Sequence, residues 1–210
     1  VMLRDDSTDP SRQPTKANIV TQINALIQKS ATAAEIWFHY SGHGSQAKDT
    51  NNDESSGNDS VLVPLDYQTA GFIIDDEIFD IVKNCKCKAI LVFDSCHSGS
   101  VCDLQWMFTY TNGSFLKTMS SNKMISNPNI ISLSGCKDSQ TAADSYSTQE
   151  ARGVGAFTDA LLYCLRANRH NVNILKLYSD TCAYIASGGY TQVPILSCSA
   201  VVPNYNFTRI

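Results

Sequence analysis

The chain has 210 residues, of which 43% are hydrophobic and 17% charged, with a formal net charge of −4. That is room for one domain with a sizeable core or two small ones, and with no Lys/Arg-rich block in the sequence, nucleic acid and anionic membranes are not expected partners. No apolar run approaches the roughly 20 residues that a bilayer-spanning helix needs.

In chain order, Val1-Met2-Leu3 reads as the end of a strand entering a proline-containing loop, Ser7 to Pro14. Thr15 can cap a helix running to about Ser30, because Ile19, Ile23, Leu26 and Ile27 recur at helical spacing. Ile36 to Tyr40 is an apolar strand that ends in Ser41-Gly42-His43-Gly44. Ser45 to Ser60 is polar and acidic and reads as a surface loop. Val61 to Leu65 is extended, with Pro64 favouring a sheet edge, and Phe72 to Ile74 is a second extended piece. Asp75-Asp76 opens a helix to about Asn84, with Ile78, Phe79, Ile81 and Val82 on its apolar side.

Lys88 to Phe93 is a buried strand that stops at Asp94-Ser95-Cys96-His97-Ser98-Gly99. Val101 to Pro128 has no clear periodicity and is expected to be a mobile loop. Asn129 to Leu133 is a strand running into Ser134-Gly135-Cys136, and Lys137 to Gly153 is a polar loop. Helices follow at Gly155 to Asn168 and Asn173 to Ser187, and a strand at Val193 to Cys198. Alternating strands and helices, without repeat or linker, predict one α/β domain with a mainly parallel central sheet.

The eight cysteines are scattered and do not outline a small disulfide scaffold. Cys164 and Cys182 fall on apolar helix faces and read as small buried hydrophobes, while Cys85-Lys86-Cys87 lacks the spacing of a metal pair. A reduced-thiol composition points to an intracellular, cytoplasmic setting, in which the sequons at Asn58, Asn112 and Asn206 are chance matches.

Two strand ends carry reactive residues, and open α/β folds place their chemistry at the carboxyl ends of strands. Cys96 can act as a nucleophile if a base takes its proton, and a helix starting after the strand would add a favourable dipole. His43 between two glycines is the candidate base. His97 is the rival, but adjacent side chains point apart in an extended segment. The N–H groups of Gly44 and Cys96 could form an oxyanion hole. Either motif alone is as well explained by a buried cysteine or a structural histidine; the pair points to a Cys/His nucleophilic enzyme.

His39-Tyr40-Ser41-Gly42-His43-Gly44-Ser45-Gln46 together with Asp94-Ser95-Cys96-His97-Ser98-Gly99-Ser100 resembles a type I metacaspase of the caspase-like fold. The resemblance continues through Val63 to Tyr67, Ile74 to Glu77, Asp103-Leu104, Ser134 to Asp144 and Gln192 to Ser197, nearly the whole chain. The QACRG signature of true caspases is absent. The resemblance implies a caspase-like single domain, helices on both faces of its sheet, with a large-subunit-like part over about 1–116, a linker over about 117–128 and a small-subunit-like part over about 129–210.

It further implies a monomeric, calcium-activated cysteine endopeptidase with His43 as general base and Cys96 as nucleophile, acting on peptides or proteins after Arg or Lys. Ser41 and Asp94 match the pocket for the basic side chain; a carboxylate there suits a guanidinium or ammonium, though Asp94 could equally bond loop backbone. Asp59, Asp75, Asp76 and Asp103 match the calcium-binding aspartates, and oxygen donors suit Ca²⁺. Asp75 or Asp76 as a helix cap, and Asp59 as a solvated charge, are the plain alternatives. Asp49 to Ser60 is not an EF-hand loop, since Ser60 stands where the bidentate Glu is needed. Lys117 and Lys123 are candidate self-cleavage residues in the linker.

The family has a strand and helix ahead of the strand that ends in Val1-Met2-Leu3. Without that unit a strand slot has unpaired edges, so this chain is expected to be a fragment of a longer protein or complemented by another chain. That departure favours a second reading, a catalytically weak pseudo-protease or binding scaffold of the same fold; a third is another caspase-fold peptidase with Asn specificity.

Overall fold

The structure, a computed structural model, describes residues 1–49, 57–137, 144–147 and 152–208. Its centre is a six-stranded sheet in the order β1-β5-β8-β12-β6-β7. These strands are β1 (Glu35–Ser41), β5 (Lys88–Asp94), β8 (Ile130–Ser134), β12 (Ile195–Cys198), β6 (Trp106–Thr111) and β7 (Ser114–Met119). Smaller sheets join β2 (Gly44–Lys48), β3 (Asn58–Leu62) and β4 (Ile73–Ile74); β9 (Asp144–Ser147) and β10 (Arg152–Gly155); and β11 (Val172–Asn173) and β13 (Asn206–Phe207). The helices are α1 (Lys16–Lys29), α2 (Tyr67–Ala70), α3 (Asp75–Val82), α4 (Ala156–Ala167) and α5 (Ile174–Ser187).

Side chains alternate across a strand, so a strand covered on both faces needs apolar residues throughout. In β5, Ala89, Leu91 and Phe93 join Ile19, Ile23 and Ile27 of α1 and Ile78 and Val82 of α3 in one core. Ile90 and Val92 face the other way, into a core with Phe157 and Leu161 of α4 and Leu177 and Tyr178 of α5. Helices thus cover both faces, as expected for the α/β domain. The buried Tyr178 hydroxyl is shared between the carbonyls of Phe108 (2.9 Å) and Pro194 (2.8 Å), which ties α5 to the antiparallel half of the sheet. Among the described residues no helix is long and apolar enough to cross a membrane.

Several local expectations need correction. The sheet is mixed: β1, β5 and β8 run parallel, whereas β12, β6 and β7 pair antiparallel. The antiparallel part comes largely from the stretch read as a loop, because 106–119 forms the β6–β7 hairpin. Asn112 (φ 52°) and Gly113 (φ 80°) supply the two positive dihedrals that a tight hairpin turn requires. The polar stretch after Gly44 is also strand at both ends, β2 and β3, with residues 50–56 outside the described set. Consequently β3 is the middle strand of its sheet rather than an edge, and Pro64 lies beyond its end. The loop expected over 137–153 contains β9 and the start of β10, its remainder lying largely outside the described residues. Residues 1–3 form no strand; Leu3 instead packs against the α1/α3 core.

Candidate active site

The parallel ladder between β1 and β5 sets Ser41 directly opposite Asp94, and the N–H of Gly42 donates to the Asp94 carbonyl at 3.2 Å. The chain then turns through His43 into β2. The His43 carbonyl accepts from the Val63 N–H (3.0 Å) and from the Tyr40 hydroxyl (2.8 Å), so backbone and side chain together hold the turn. Burial pushes Tyr40 up to about 12, which keeps it a hydrogen-bond donor at neutral pH.

Gly44 is where the two reactive segments meet. A Cβ built there would lie 2.0 Å from the Cys96 carbonyl oxygen and 3.2 Å from the Ser95 Cβ. Only the absence of a side chain allows the residue after His43 to lie against the turn that carries Cys96. This contact brings the main chains of Gly44 and Cys96, the two candidate oxyanion donors, together. The Cys96 turn is braced from below: the Ser95 carbonyl accepts from Ser98 Oγ (2.8 Å) and from the buried Cys136 thiol (3.3 Å). Cys96 is part-buried and His43 exposed. No helix starts after β5; the chain turns at Cys96-His97, with His97 at φ 52°. A helix dipole at the thiol is therefore absent, so activation of Cys96 would rest on a base.

Asp94 is 4% exposed and sits at the N-terminus of α4, accepting from the Thr158 N–H (2.9 Å) and the Thr158 hydroxyl (2.5 Å). The positive end of the helix dipole favours a carboxylate there. The plain alternative for Asp94, a carboxylate bonded to backbone, is thus present, and the same bonds hold its side chain beside Ser41. Since the single Thr158 hydroxyl proton goes to Asp94, His39 Nε2, 3.3 Å from the same oxygen, must be the donor in that contact. A Cβ on Gly155 would lie 2.0 Å from Asp94 Oδ2, so a glycine lets α4 begin this close. Gln192 donates to the Gly135 carbonyl (3.0 Å), closing the far side.

The four aspartates lie near one another, beside the start of β3 and the start of α3. Asp75 is buried at 1% exposure and accepts from the N–H groups of Ser60 (2.6 Å) and Asp76 (3.0 Å). Burial and then the charge of Asp103, with a smaller push from Asp59, raise its pKa to about 8. Asp75 does not cap the helix from outside; it is the first helical residue, and Ile74 occupies the cap without a side-chain bond. Asp103, at φ 45° and 3% exposed, and Asp76 both pair with the Lys123 ammonium, Asp103 at 2.6 Å. Among the described residues no three His, Cys, Asp or Glu side chains converge tightly enough to hold a metal as they stand. The donor set nevertheless fits a hard cation: buried carboxylate oxygens that repel one another, with an ammonium standing in for positive charge.

Sequence reasoning missed Tyr40, Thr158, Gly155 and the ion pairs of Lys123. The other linker lysine, Lys117, lies in β7 opposite Phe108, its ammonium 4.9 Å from the Trp106 ring centre.

Against known proteins, the family model described as "Metacaspase, peptidase C14 domain" matches residues 1–105. Metacaspase-1 of Cryptococcus neoformans var. neoformans serotype D (strain JEC21) is 33% identical over 249 residues, covering 95% of this chain and 53% of that protein. Metacaspase-1 of Ajellomyces capsulatus is 32% identical over 247 residues, covering 95% of this chain and 68% of that protein. The chain thus spans about half to two thirds of the length of these relatives. The crystal structure of caspase-1 from Spodoptera frugiperda superposes with a TM-score of 0.54 over 90% of this chain and 71% of that one, at 14% identity, a likeness of fold alone.

Proposed function

The chain belongs to the metacaspase family, and from that membership we propose that it is a monomeric, calcium-activated cysteine endopeptidase cleaving after Arg or Lys. The observation that carries the reading is the Gly44–Cys96 contact, which joins the histidine turn to the cysteine turn. His43 takes the proton of the Cys96 thiol, and the thiolate attacks the scissile carbonyl carbon. The N–H groups of Gly44 and Cys96 receive the developing oxyanion. His43 then returns the proton to the leaving amine, and water, deprotonated by the same imidazole, hydrolyses the thioester.

Ser41 and Asp94 bind the basic side chain, Asp94 being held in place by Thr158. Asp59, Asp75, Asp76 and Asp103 would hold calcium, which supplies the positive charge that crowded carboxylates lack. Self-cleavage after Lys117 or Lys123 follows from the same specificity. The test is hydrolysis of fluorogenic peptides with Arg, Lys, Asn or Asp before the scissile bond, with calcium or a chelator, and Cys96→Ala as control. Turnover of the Arg and Lys peptides, lost in Cys96→Ala and in chelator, supports the reading. Turnover of the Asp or Asn peptide alone would refute the pocket, and no turnover under any condition would favour a binding scaffold.

A further inference from the structure

Lys123 lies between β7 and β8, in sequence far from the acidic cluster it contacts. Its ammonium pairs with Asp76 at the start of α3 and with Asp103 after β5, the latter at 2.6 Å, and stands 5.5 Å from the Phe79 ring centre. Both ends of the pair are largely shielded, the side chains of Lys123 and Asp103 being 23% and 2% exposed. The connecting segment has a second anchor in Asn127, whose amide donates to the carbonyls of Cys85 (3.1 Å) and Cys87 (2.7 Å).

We propose that Lys123 is a tethered counter-ion that a divalent cation must displace, so that cation binding and release of the Lys123 side chain are a single event. The inference rests on the calcium reading above and deepens it. A calcium ion binds carboxylate oxygens at about 2.3–2.6 Å. An ammonium already 2.6 Å from Asp103 occupies the same space, and two cations on one pair of carboxylates repel strongly where water is scarce. The two states are therefore exclusive. An ammonium held by Asp76 and Asp103 is also withheld from the pocket of Ser41 and Asp94, so the chain cannot present Lys123 for self-cleavage until the cation has replaced it. The metal would thus both complete the acidic site and free the scissile residue.

The test uses Cys96→Ala protein, in which self-cleavage is blocked. Calcium is titrated calorimetrically into this protein and into Cys96→Ala/Lys123→Met, whose methionine keeps the unbranched stem beside Phe79 and loses the charge. Removing the competitor should tighten calcium binding roughly tenfold. In the unsubstituted-lysine protein, calcium should also speed cutting after Lys123 by a lysine-specific endoproteinase, while cutting after Lys117 in β7 stays unchanged. Measurable but equal affinities, or cutting after Lys123 that ignores calcium, would overturn the inference and leave the calcium reading standing. No calcium binding by either protein removes both. If the methionine variant does not fold, the proteolysis result decides.

Discussion

Gly44→Ala is the sharpest perturbation of the site. Its new Cβ would lie 2.0 Å from a backbone oxygen, that of Cys96, and real Cβ contacts are essentially never under 3.0 Å. The two segments must separate by at least about 1 Å. Neither can yield cheaply: the histidine turn is held by Val63 and Tyr40, and the Cys96 turn is braced by Ser98 and Cys136. A misplacement of about 1 Å in a catalytic pair costs on the order of 100-fold in rate. The variant should therefore lose about 100-fold in kcat/KM on an Arg peptide with calcium present. Gly42→Ala is the milder comparison: the three atoms nearest its Cβ belong to the Tyr40 side chain, the first at 2.9 Å, and a side chain shifts more readily than the Cys96 backbone. Circular dichroism and a melting curve establish that each variant is folded. A folded Gly44→Ala protein with kcat/KM within threefold of the parent would refute the claim that this contact aligns the base and the nucleophile.

Two further outcomes follow from the surroundings of the site. Thr158→Val removes the hydroxyl that donates to Asp94; a hydrogen bond to a charged group contributes about 1.5–3 kcal/mol, so kcat/KM on Arg and Lys peptides should fall about tenfold or more, with Thr158→Ser restoring it, and parent-like kinetics in the valine variant would refute the positioning role. In calcium-free protein, Asp75 keeps its proton to about pH 8 when folded, whereas the unfolded chain releases it near pH 4. The folded pKa is the raised one, so this contribution to stability is full below about pH 4 and is lost as pH rises through 8. Melting temperature in chelator should therefore drop from pH 5 to 8.5, more steeply in the parent than in Asp75→Asn, and identical slopes would contradict the buried, charge-crowded setting of Asp75.

The periodic elements were legible within a residue or two because their burial follows simple rules. α1 begins at its predicted cap, with the Thr15 hydroxyl accepting from the Asn18 N–H at 3.3 Å, and β5 is apolar because helices cover both its faces. The β6–β7 hairpin was hidden by its irregular pattern: Phe115, Leu116 and Met119 of β7 are exposed, so its apolar residues mark no buried face, and the signal that went unread was the Asn112-Gly113 turn between two β-prone runs. β3 was misread for the opposite reason. Asp59 and Ser60 are buried by the acidic cluster, not by a hydrophobic pattern, and polar residues in sequence read as solvent-facing. The Cys/His pair stood out because each residue ends its own apolar strand. The supports did not, since Thr158 reaches Asp94 across 64 positions and Lys123 reaches Asp76 across 47, distances over which a single sequence carries no local trace.

The ladder between β1 and β5 has one more consequence. Seven residues pair in order from Glu35–Lys88 to Ser41–Asp94. Sliding β1 by one position would move its end about 3.3 Å and turn each of its side chains to the other face, taking Ile36, 4% exposed, out of its core. Along the strand axis, then, the pairing of the two strands changes only in whole-residue steps: small elastic shifts are tolerated, but no intermediate register keeps the hydrogen bonds. Mutations that shift the register would remove the proposed activity in whole steps, and fine adjustment of its rate is left to the turns beyond the strand ends.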